Sequence, residues 1–192
     1  MSLLDQLKSK KSSLKATTTT VRYADGKQYT TDNGGKEVPI NSISYGFVVD
    51  TAPDIEPACI LDNFLYIGSQ DAVNPDNIEK YNLTNILSIG ISTPYIETDR
   101  KLSNLFIPCL DLPDTELKNV VEQANVFLRN VHKNNGAVLV HCNAGVSRSS
   151  SVVIGYLIMA LKMTFREAYE LVKSKRPSCC PNAGFIDQLK KL

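Results

Sequence analysis

The stretch Val140–Ser149 carries a cysteine in a short loop between two regular elements, and it limits the possible folds more than any other part of the chain. Before it, Ala137–Val140 is a short apolar run, which is typical of a buried strand. After it, apolar residues recur at helical spacing over Val152–Ala160. The sequence therefore predicts a strand that ends at Cys142 and a helix that begins at Arg148.

A loop of this kind is suited to binding a phosphate dianion. Successive backbone N–H groups in a loop of small residues can converge on one anion, and the N-terminus of the following helix adds donors and a positive dipole end. Arg148 carries a planar fork of donors that can bind two phosphate oxygens at once. We expect Cys142, beside these positive groups, to lose its proton easily and to act as a nucleophile.

The segment His141–Ser149 resembles the signature of the cysteine-dependent phosphatases, which is His-Cys, five further residues, Arg, and then Ser or Thr. Every signature position is matched. The structural alternative is a buried cysteine at the end of a core strand, with Gly145 needed only for a turn. The resemblance implies that Cys142 and Arg148 are catalytic and that the loop binds the substrate phosphate. The substrate-binding residues would be Asn143, Ala144, Gly145, Val146, Ser147 and Arg148.

A phosphate ester also needs a proton for its leaving oxygen, and a carboxylic acid on a neighbouring loop can supply it. The best candidates lie between a predicted strand and a predicted helix. Asp111 directly follows the strand and can point across the site, whereas Asp114 lies near the helix start and is suited to capping it. Asp111 precedes Cys142 by 31 residues, a spacing similar to that in the phosphatases that the chain resembles. We therefore favour Asp111 as the general acid.

Three more residues have expected supporting roles. The hydroxyl of Ser149 can hydrogen-bond the sulfur as water displaces it from a phosphocysteine, and the same residue could be a helix N-cap. His141 should point away from the nucleophile, because side chains alternate along a strand, and should orient the loop by hydrogen bonds. Asn182 resembles the family's asparagine that braces the phosphate loop, and its alternative role is again a helix N-cap.

Strands alternate with helices along residues 56–192. The predicted strands are 59–61, 64–67, 86–89, 105–108 and 137–140, and the predicted helices are 75–81, 116–131, 149–162, one from 164, and 182–191. This alternation predicts an α/β fold with a central, mainly parallel sheet of about five strands and helices on both faces. The resemblance implies that this is the fold of dual-specificity phosphatases. Ligands of such sheets bind at the carboxyl ends of the strands, where Cys142 lies.

Residues 1–55 are expected to form a mostly flexible extension before this catalytic domain of residues 56–192. They are rich in Thr, Asp, Asn and Gly and carry turn signals. Residues 17–23 and 28–31 could pair as a hairpin. The basic, leucine-containing segment 1–15 could dock into an acidic groove on a kinase or could simply be a solvated terminus.

Charge and composition exclude several classes of protein. A net charge of +1 gives no global field toward nucleic acid or an acidic membrane. No apolar run is long enough to span a bilayer, and the first residues lack the core of a secretory signal.

The five cysteines and two histidines show no metal-ligand spacing. We expect no metal or other cofactor, because the loop amides and Arg148 can neutralise the phosphoryl oxygens. A thiolate nucleophile favours a reducing compartment, hence the cytoplasm or the nucleus.

Four other segments resemble the atypical dual-specificity protein phosphatases: Gly68–Asp71, Asp111–Pro113, Arg176–Pro177 and Pro181–Phe185. The resemblance implies hydrolysis of phosphotyrosine and phosphoserine/phosphothreonine in proteins, with mitogen- or stress-activated kinase pathways as the field of substrates. A catalytic unit this short has no obvious insertion to deepen the cleft, so phosphoserine and phosphothreonine should reach the cysteine. The uncharged loop disfavours a phosphoinositide, whose extra ring phosphates would need extra cations.

Several alternatives stay open at this point. One is a phosphoprotein-binding scaffold or pseudophosphatase with little turnover. The joint presence of Cys142, Arg148 and Asp111 argues against it, because binding alone does not need the cysteine. Rhodanese-like sulfurtransferases and arsenate reductase-like phosphatases share the cysteine-to-arginine spacing, although in the latter the loop precedes the acid. Cys109, Cys179 or Cys180 could form a reversible disulfide with an oxidised Cys142, although such residues are more often buried bystanders.

Overall fold

A computed structural model describes residues 19–22, 28–31, 37–39 and 54–192. The chain divides into two compact units, Met1–Ser44 and Tyr45–Leu192. The first unit contains an antiparallel sheet of three strands, ordered β1 (Thr19–Arg22), β2 (Gln28–Thr31) and β3 (Glu37–Pro39). The predicted hairpin is therefore confirmed as β1 and β2, whereas β3 was not predicted. The segment 1–15, with its suggested docking role, lies outside the described residues, and the boundary at residue 55 stays a prediction.

The second unit is built on a five-stranded sheet whose order is β4-β5-β8-β6-β7. Its strands are β4 (Ala58–Leu61), β5 (Leu65–Gly68), β6 (Asn85–Ile89), β7 (Ser103–Ile107) and β8 (Val138–His141). The helices are α1 (Pro75–Lys80), α2 (Leu117–Lys133), α3 (Arg148–Leu161), α4 (Phe165–Lys175) and α5 (Ala183–Leu189). Only β4 is antiparallel to its neighbour in this sheet. The predicted α/β fold with a mainly parallel sheet of five strands is confirmed.

Strand β8 lies at the centre of this sheet, and both of its faces are covered. Val138 and Val140 pack into the core formed with α2, α3, α4 and α5, whereas Leu139 packs into a smaller cluster with residues of α1. The period-two alternation of a strand explains this division. Helices therefore cover both faces, as the alternation of elements predicts.

The parallel register brings the carboxyl ends of three strands to one edge of the sheet. Gly68 on β5 and Ser88 on β6 both pair with His141 on β8. The segments that leave these strands, together with the one after β7, therefore start side by side. Cys142 follows the central strand and so lies in the middle of this edge.

The start of α2 differs from the expectation for Asp114. The helix begins at Leu117, its N-cap position is Glu116, and no side chain of that residue caps it. Instead, the amide of Leu117 donates to Oε1 of Gln188 on α5, at 2.8 Å. The capping role predicted for Asp114 is therefore wrong, because a distant glutamine satisfies the helix end.

The start of α4 agrees with its sequence signal. The side chain of Thr164 accepts a hydrogen bond from the amide of Glu167, and the carboxylate of Glu167 accepts one from the amide of Thr164. This reciprocal arrangement is the predicted capping box. Among the described residues, no helix is long and apolar enough to cross a membrane.

Candidate active site

The phosphate loop, defined as residues 142–148, connects β8 to α3 as the sequence predicts. Cys142 is only 2% exposed, and α3 begins at Arg148. The Sγ atom of Cys142 lies 3.3 Å from the Oγ atom of Ser149, so the first turn of α3 approaches the sulfur. Gly145 has a φ of +67°, a backbone conformation that a residue with a side chain rarely adopts. The loop thus makes a tight turn at Gly145, three residues after the candidate nucleophile.

The carbonyl groups of the loop bind donors that lie outside it. The amide of Gln70 donates to the carbonyl of Asn143 at 2.9 Å, and the amide of Cys180 donates to that of Val146 at 2.8 Å. The amides of residues 144–147 form no hydrogen bond with the described part of the chain. Because the N–H of a trans peptide points opposite to its C=O, carbonyls held on the outside turn these amides inward. The result is an anion-binding nest.

Arg176 is the main outside support of the loop, and it is only 4% exposed. Its Nε donates to the carbonyl of Gly145 at 2.7 Å, and its Nη2 donates to that of Ala144 at 3.0 Å. The same guanidinium pairs with the carboxylate of Asp54. A Cβ on Gly145 would lie 2.5 Å from Nη2 of Arg176 and 2.6 Å from the carbonyl oxygen of Gly68. Glycine is therefore required here by close packing as well as by φ.

Arg148 turns toward the site rather than to solvent. Its Nη1 donates to the carbonyl of Gly90 at 3.4 Å, and its Nε lies 3.6 Å from Oδ2 of Asp111. This Nε is buried and forms no hydrogen bond with the described residues. Gly90 has a φ of +69°, and a Cβ there would lie 2.6 Å from Nη1 of Arg148. Gly90 therefore leaves room for the guanidinium, a role that sequence reasoning missed.

Asp111 is held against the phosphate loop. Its Oδ1 accepts hydrogen bonds from Oγ of Ser147 at 2.7 Å and from Nδ2 of Asn182 at 2.9 Å. Asp114, by contrast, is exposed. The structure thus places Asp111 beside Arg148 and Ser147 of the phosphate loop, and the assignment of Asp111 as the general acid stays a prediction.

The hydroxyl groups of the two serines that flank Arg148 have different partners. Ser147, rather than Ser149, occupies the N-cap position of α3, and its side chain does not cap the helix. Its hydroxyl instead donates to Asp111 and accepts from the amide of Asn182 at 3.1 Å. The N-cap alternative for Ser149 is therefore wrong, because that residue already lies in the first turn. The predicted proximity of its hydroxyl to the sulfur is confirmed.

Asn182 combines the two roles considered for it. Its Oδ1 accepts a hydrogen bond from the amide of Phe185 at 2.9 Å and so caps α5. Its Nδ2 binds Asp111, and its backbone amide binds the hydroxyl of Ser147. One residue therefore joins the end of the phosphate loop to the candidate general acid.

His141 lies in the interior behind the loop and is fully buried. Its Nε2 lies 2.7 Å from Oγ of Ser88, which lies 2.7 Å from Oγ1 of Thr93, and its Nδ1 lies 3.3 Å from the carbonyl oxygen of Cys142. Burial lowers the pKa of His141 to about 4. A neutral ring fits these partners, with Nδ1–H donating to the carbonyl and Nε2 accepting from the serine. This arrangement can orient the loop.

The remaining cysteines differ in environment. Cys109 and Cys179 are buried, and Cys180 is exposed. Burial raises the pKa of Cys109 to about 11 and also raises that of Cys179. Among the described residues, no group of three or more His, Cys, Asp or Glu side chains could hold a metal ion.

Residues 65–192 match the family described as "Dual specificity phosphatase, catalytic domain". A "Probable dual specificity protein phosphatase" of Dictyostelium discoideum is 35% identical over 220 residues, covering 97% of this chain and 95% of that protein. Dual specificity protein phosphatase 19 of Mus musculus is 36% identical over 148 residues, covering 76% of this chain and 66% of that protein. Human DUSP28 superposes with a TM-score of 0.66 at 26% identity, covering 74% of this chain and 93% of that structure.

The family match spans residues that form four of the five strands of the larger sheet, the phosphate loop and the segment around Asp111. The family match alone includes two thirds of the chain, and the structural neighbour has the same fold. The protein belongs to the dual specificity phosphatases, among their atypical members, and is a protein-tyrosine/serine/threonine phosphatase.

Proposed function

We propose that this phosphatase hydrolyses phosphotyrosine, phosphoserine and phosphothreonine in proteins through a phosphocysteine on Cys142. The observation that supports this most is the gathering of four functional groups at one edge of the sheet. The thiol of Cys142 lies beside the hydroxyl of Ser149, and the guanidinium of Arg148 lies beside the carboxyl group of Asp111. Phosphate binding alone would require the arginine and the loop amides, but neither the thiol nor the acid.

In the first step, the ionised sulfur of Cys142 attacks phosphorus, the S–P bond forms, and the bond from phosphorus to the leaving oxygen breaks. Asp111 gives its proton to that oxygen, so no alkoxide or phenoxide is expelled. The inward amides of residues 144–147 and the fork of Arg148 bind the three non-bridging oxygens throughout.

In the second step, a water molecule attacks phosphorus and the S–P bond breaks. The carboxylate of Asp111, left ionised by the first step, accepts a proton from this water. The hydroxyl of Ser149 lies within reach of the sulfur and can donate to it as negative charge returns, which improves the leaving group. Orthophosphate leaves, and the enzyme returns to its starting protonation state.

The resemblance of the sequence to this family also supports phosphorylated kinases of mitogen- or stress-activated pathways as substrates. The cleft admits short phosphoserine side chains only if Cys142 is not deeply recessed behind loop insertions. The longest connection without a helix between β4 and β8 is the 13-residue segment 90–102 between β6 and β7. A reducing compartment, the cytoplasm or the nucleus, is the proposed location, because a thiolate nucleophile is oxidised elsewhere.

The test uses the full chain with p-nitrophenyl phosphate and with three peptides that differ only in phosphotyrosine, phosphoserine or phosphothreonine. We expect release of orthophosphate from all three peptides and no release by Cys142→Ser. Asp111→Ala should bind phosphorylated kinases without releasing them quickly. Binding of the peptides by the wild-type chain with no turnover would instead establish the scaffold alternative.

A further inference from the structure

Helix α5 contacts the acid loop, defined as residues 110–116, at three separate points. Asn182, at its N-cap, donates to the carboxylate of Asp111. Gly184, in its first turn, packs against the backbone of Pro113. Gln188, near its end, binds the last part of the loop. The contacts therefore extend from the acid itself to the start of α2.

The contact at Gly184 is between two backbones. A Cβ on Gly184 would lie 2.0 Å from the carbonyl oxygen of Pro113 and 2.6 Å from its Cα. No flexible side chain is available to yield, so any larger residue must displace the acid loop or α5. Glycine at this position sets how closely the loop approaches the helix.

The contact at Gln188 uses both ends of its amide. Its Nε2 donates to the carbonyl of Thr115 at 2.9 Å, and its Oε1 accepts from the amide of Leu117 at 2.8 Å. The second bond replaces the N-terminal cap that Glu116 does not provide. One side chain therefore fixes both the end of the acid loop and the first turn of α2.

The helix is a firm base for these contacts. Phe185 and Leu189 point from α5 into the main core and are 0% and 1% exposed. A helix anchored in this way holds a neighbouring loop more precisely than another loop would.

We propose that α5 is the element that positions the general acid, and that Gly184 and Gln188 are positioning residues that act through Asp111. This inference rests on the proposed function of Asp111. Its consequence is specific, because proton donation matters most when the leaving oxygen is a poor leaving group. p-Nitrophenolate leaves readily without a proton, whereas phenolate does not. Displacement of the acid loop should therefore reduce hydrolysis of phenyl phosphate far more than that of p-nitrophenyl phosphate.

The test compares Gln188→Met, which removes both hydrogen bonds at similar size, and Gly184→Ala with the wild-type chain. For each variant, kcat/KM is measured on both aryl phosphates, with inhibition by inorganic phosphate as a readout of the phosphate loop. Misplacement by about 1 Å can cost about 10²-fold in rate. We expect a loss of about 10- to 100-fold on phenyl phosphate, a loss of less than about threefold on p-nitrophenyl phosphate, and unchanged inhibition by phosphate.

Two further variants make the result specific. Asp187→Asn changes an exposed residue on the same helix whose carboxylate pairs with Lys190, and should show no selective loss. In an Asp111→Asn background, Gln188→Met should add little to the loss on phenyl phosphate, because the group that it positions is already removed. Gln188→Glu keeps an acceptor for the amide of Leu117 and should recover part of the rate. It also provides a second test of this position if Gln188→Met does not fold.

Equal losses on the two substrates, or a full additional loss in the Asp111→Asn background, would overturn the inference while leaving the proposed function intact. A wild-type chain that hydrolyses neither substrate would overturn the proposed function and this inference together.

Discussion

The Sγ atom of Cys142 lies 3.3 Å from the Oγ atom of Ser149, and both side chains are buried. This hydroxyl matters most when the sulfur leaves phosphorus, because negative charge then returns to it. A hydrogen bond to a charged group contributes about 1.5–3 kcal/mol. We expect Ser149→Ala to lower kcat by about 10- to 100-fold through slow hydrolysis of the phosphocysteine. Rapid-mixing measurements with p-nitrophenyl phosphate should then show a burst of p-nitrophenol.

Ser151→Ala is the matched control for this burst. It removes another buried hydroxyl from α3, but that hydroxyl donates to the carbonyl of Ser147 at 2.8 Å and not to the sulfur. A burst in Ser151→Ala, or its absence in a slowed Ser149→Ala, would contradict the role given to Ser149.

Arg176 should be needed for stability as well as for activity. Arg176→Ala removes a donor from the carbonyl groups of Ala144 and Gly145 and leaves the carboxylate of Asp54 without this partner. Breaking a fully buried pair costs about 3–5 kcal/mol, and we expect a loss toward the lower end because the side chain of Asp54 is 30% exposed. Urea unfolding should report that loss, and inhibition by inorganic phosphate should weaken.

Arg166→Ala is the control. The side chain of Arg166 is 85% exposed, and its ion pair with Glu170 should contribute no more than about 0.5 kcal/mol. Equal effects of the two substitutions would refute the supporting role of Arg176.

His141 makes stability depend on pH in a defined window. Burial lowers its pKa from 6.5 to about 4, so between these values the unfolded chain binds a proton that the folded chain does not. The free energy of unfolding should therefore fall as the pH falls from 6.5 to about 4, by up to about 3 kcal/mol. Urea unfolding at several pH values measures this slope. His141→Gln cannot titrate and should have a shallower slope, and an unchanged slope would show that another group is responsible.

Cys109 should be inert toward thiol reagents. Burial raises its pKa to about 11, so only about one molecule in 10⁴ carries the thiolate at pH 7. Brief alkylation of the folded chain with iodoacetamide, read by mass spectrometry, should modify the exposed Cys180 well before Cys109. After mild peroxide we expect no disulfide between Cys109 and Cys142. Detection of this disulfide would instead support Cys109 as a redox partner of an oxidised Cys142.

The sequence predicts the sheet and the loop well because their signals are local. The apolar run before Cys142, the glycine and arginine after it, and the periodicity of α3 all lie within one short stretch. The residues that support the site act through contacts between distant parts of the chain, and they are harder to predict from the sequence. Arg176 binds carbonyls more than 30 residues away, and Gln188 caps a helix that starts 71 residues earlier. Neither partner can be identified from spacing.

Capping shows the same limit at the level of single residues. The expectations for Asp114 and Ser149 follow ordinary preferences at helix starts. In the fold, Gln188 supplies the first cap, and Ser147 takes the second position but gives its hydroxyl to Asp111. An arginine as buried as Arg176 requires a carboxylate or carbonyl partner. Its burial would therefore have indicated a supporting role, but burial is known only once the chain is folded.

The most direct measurement is to trap the covalent intermediate. The wild-type chain is mixed with a phosphorylated substrate, quenched in acid within the first turnover, digested and analysed by mass spectrometry. We expect one phosphate on the peptide that contains Cys142, more of it in Ser149→Ala, and none in Cys142→Ser. Turnover by the wild-type chain with no phosphate on Cys142, or turnover that survives in Cys142→Ser, would contradict the account.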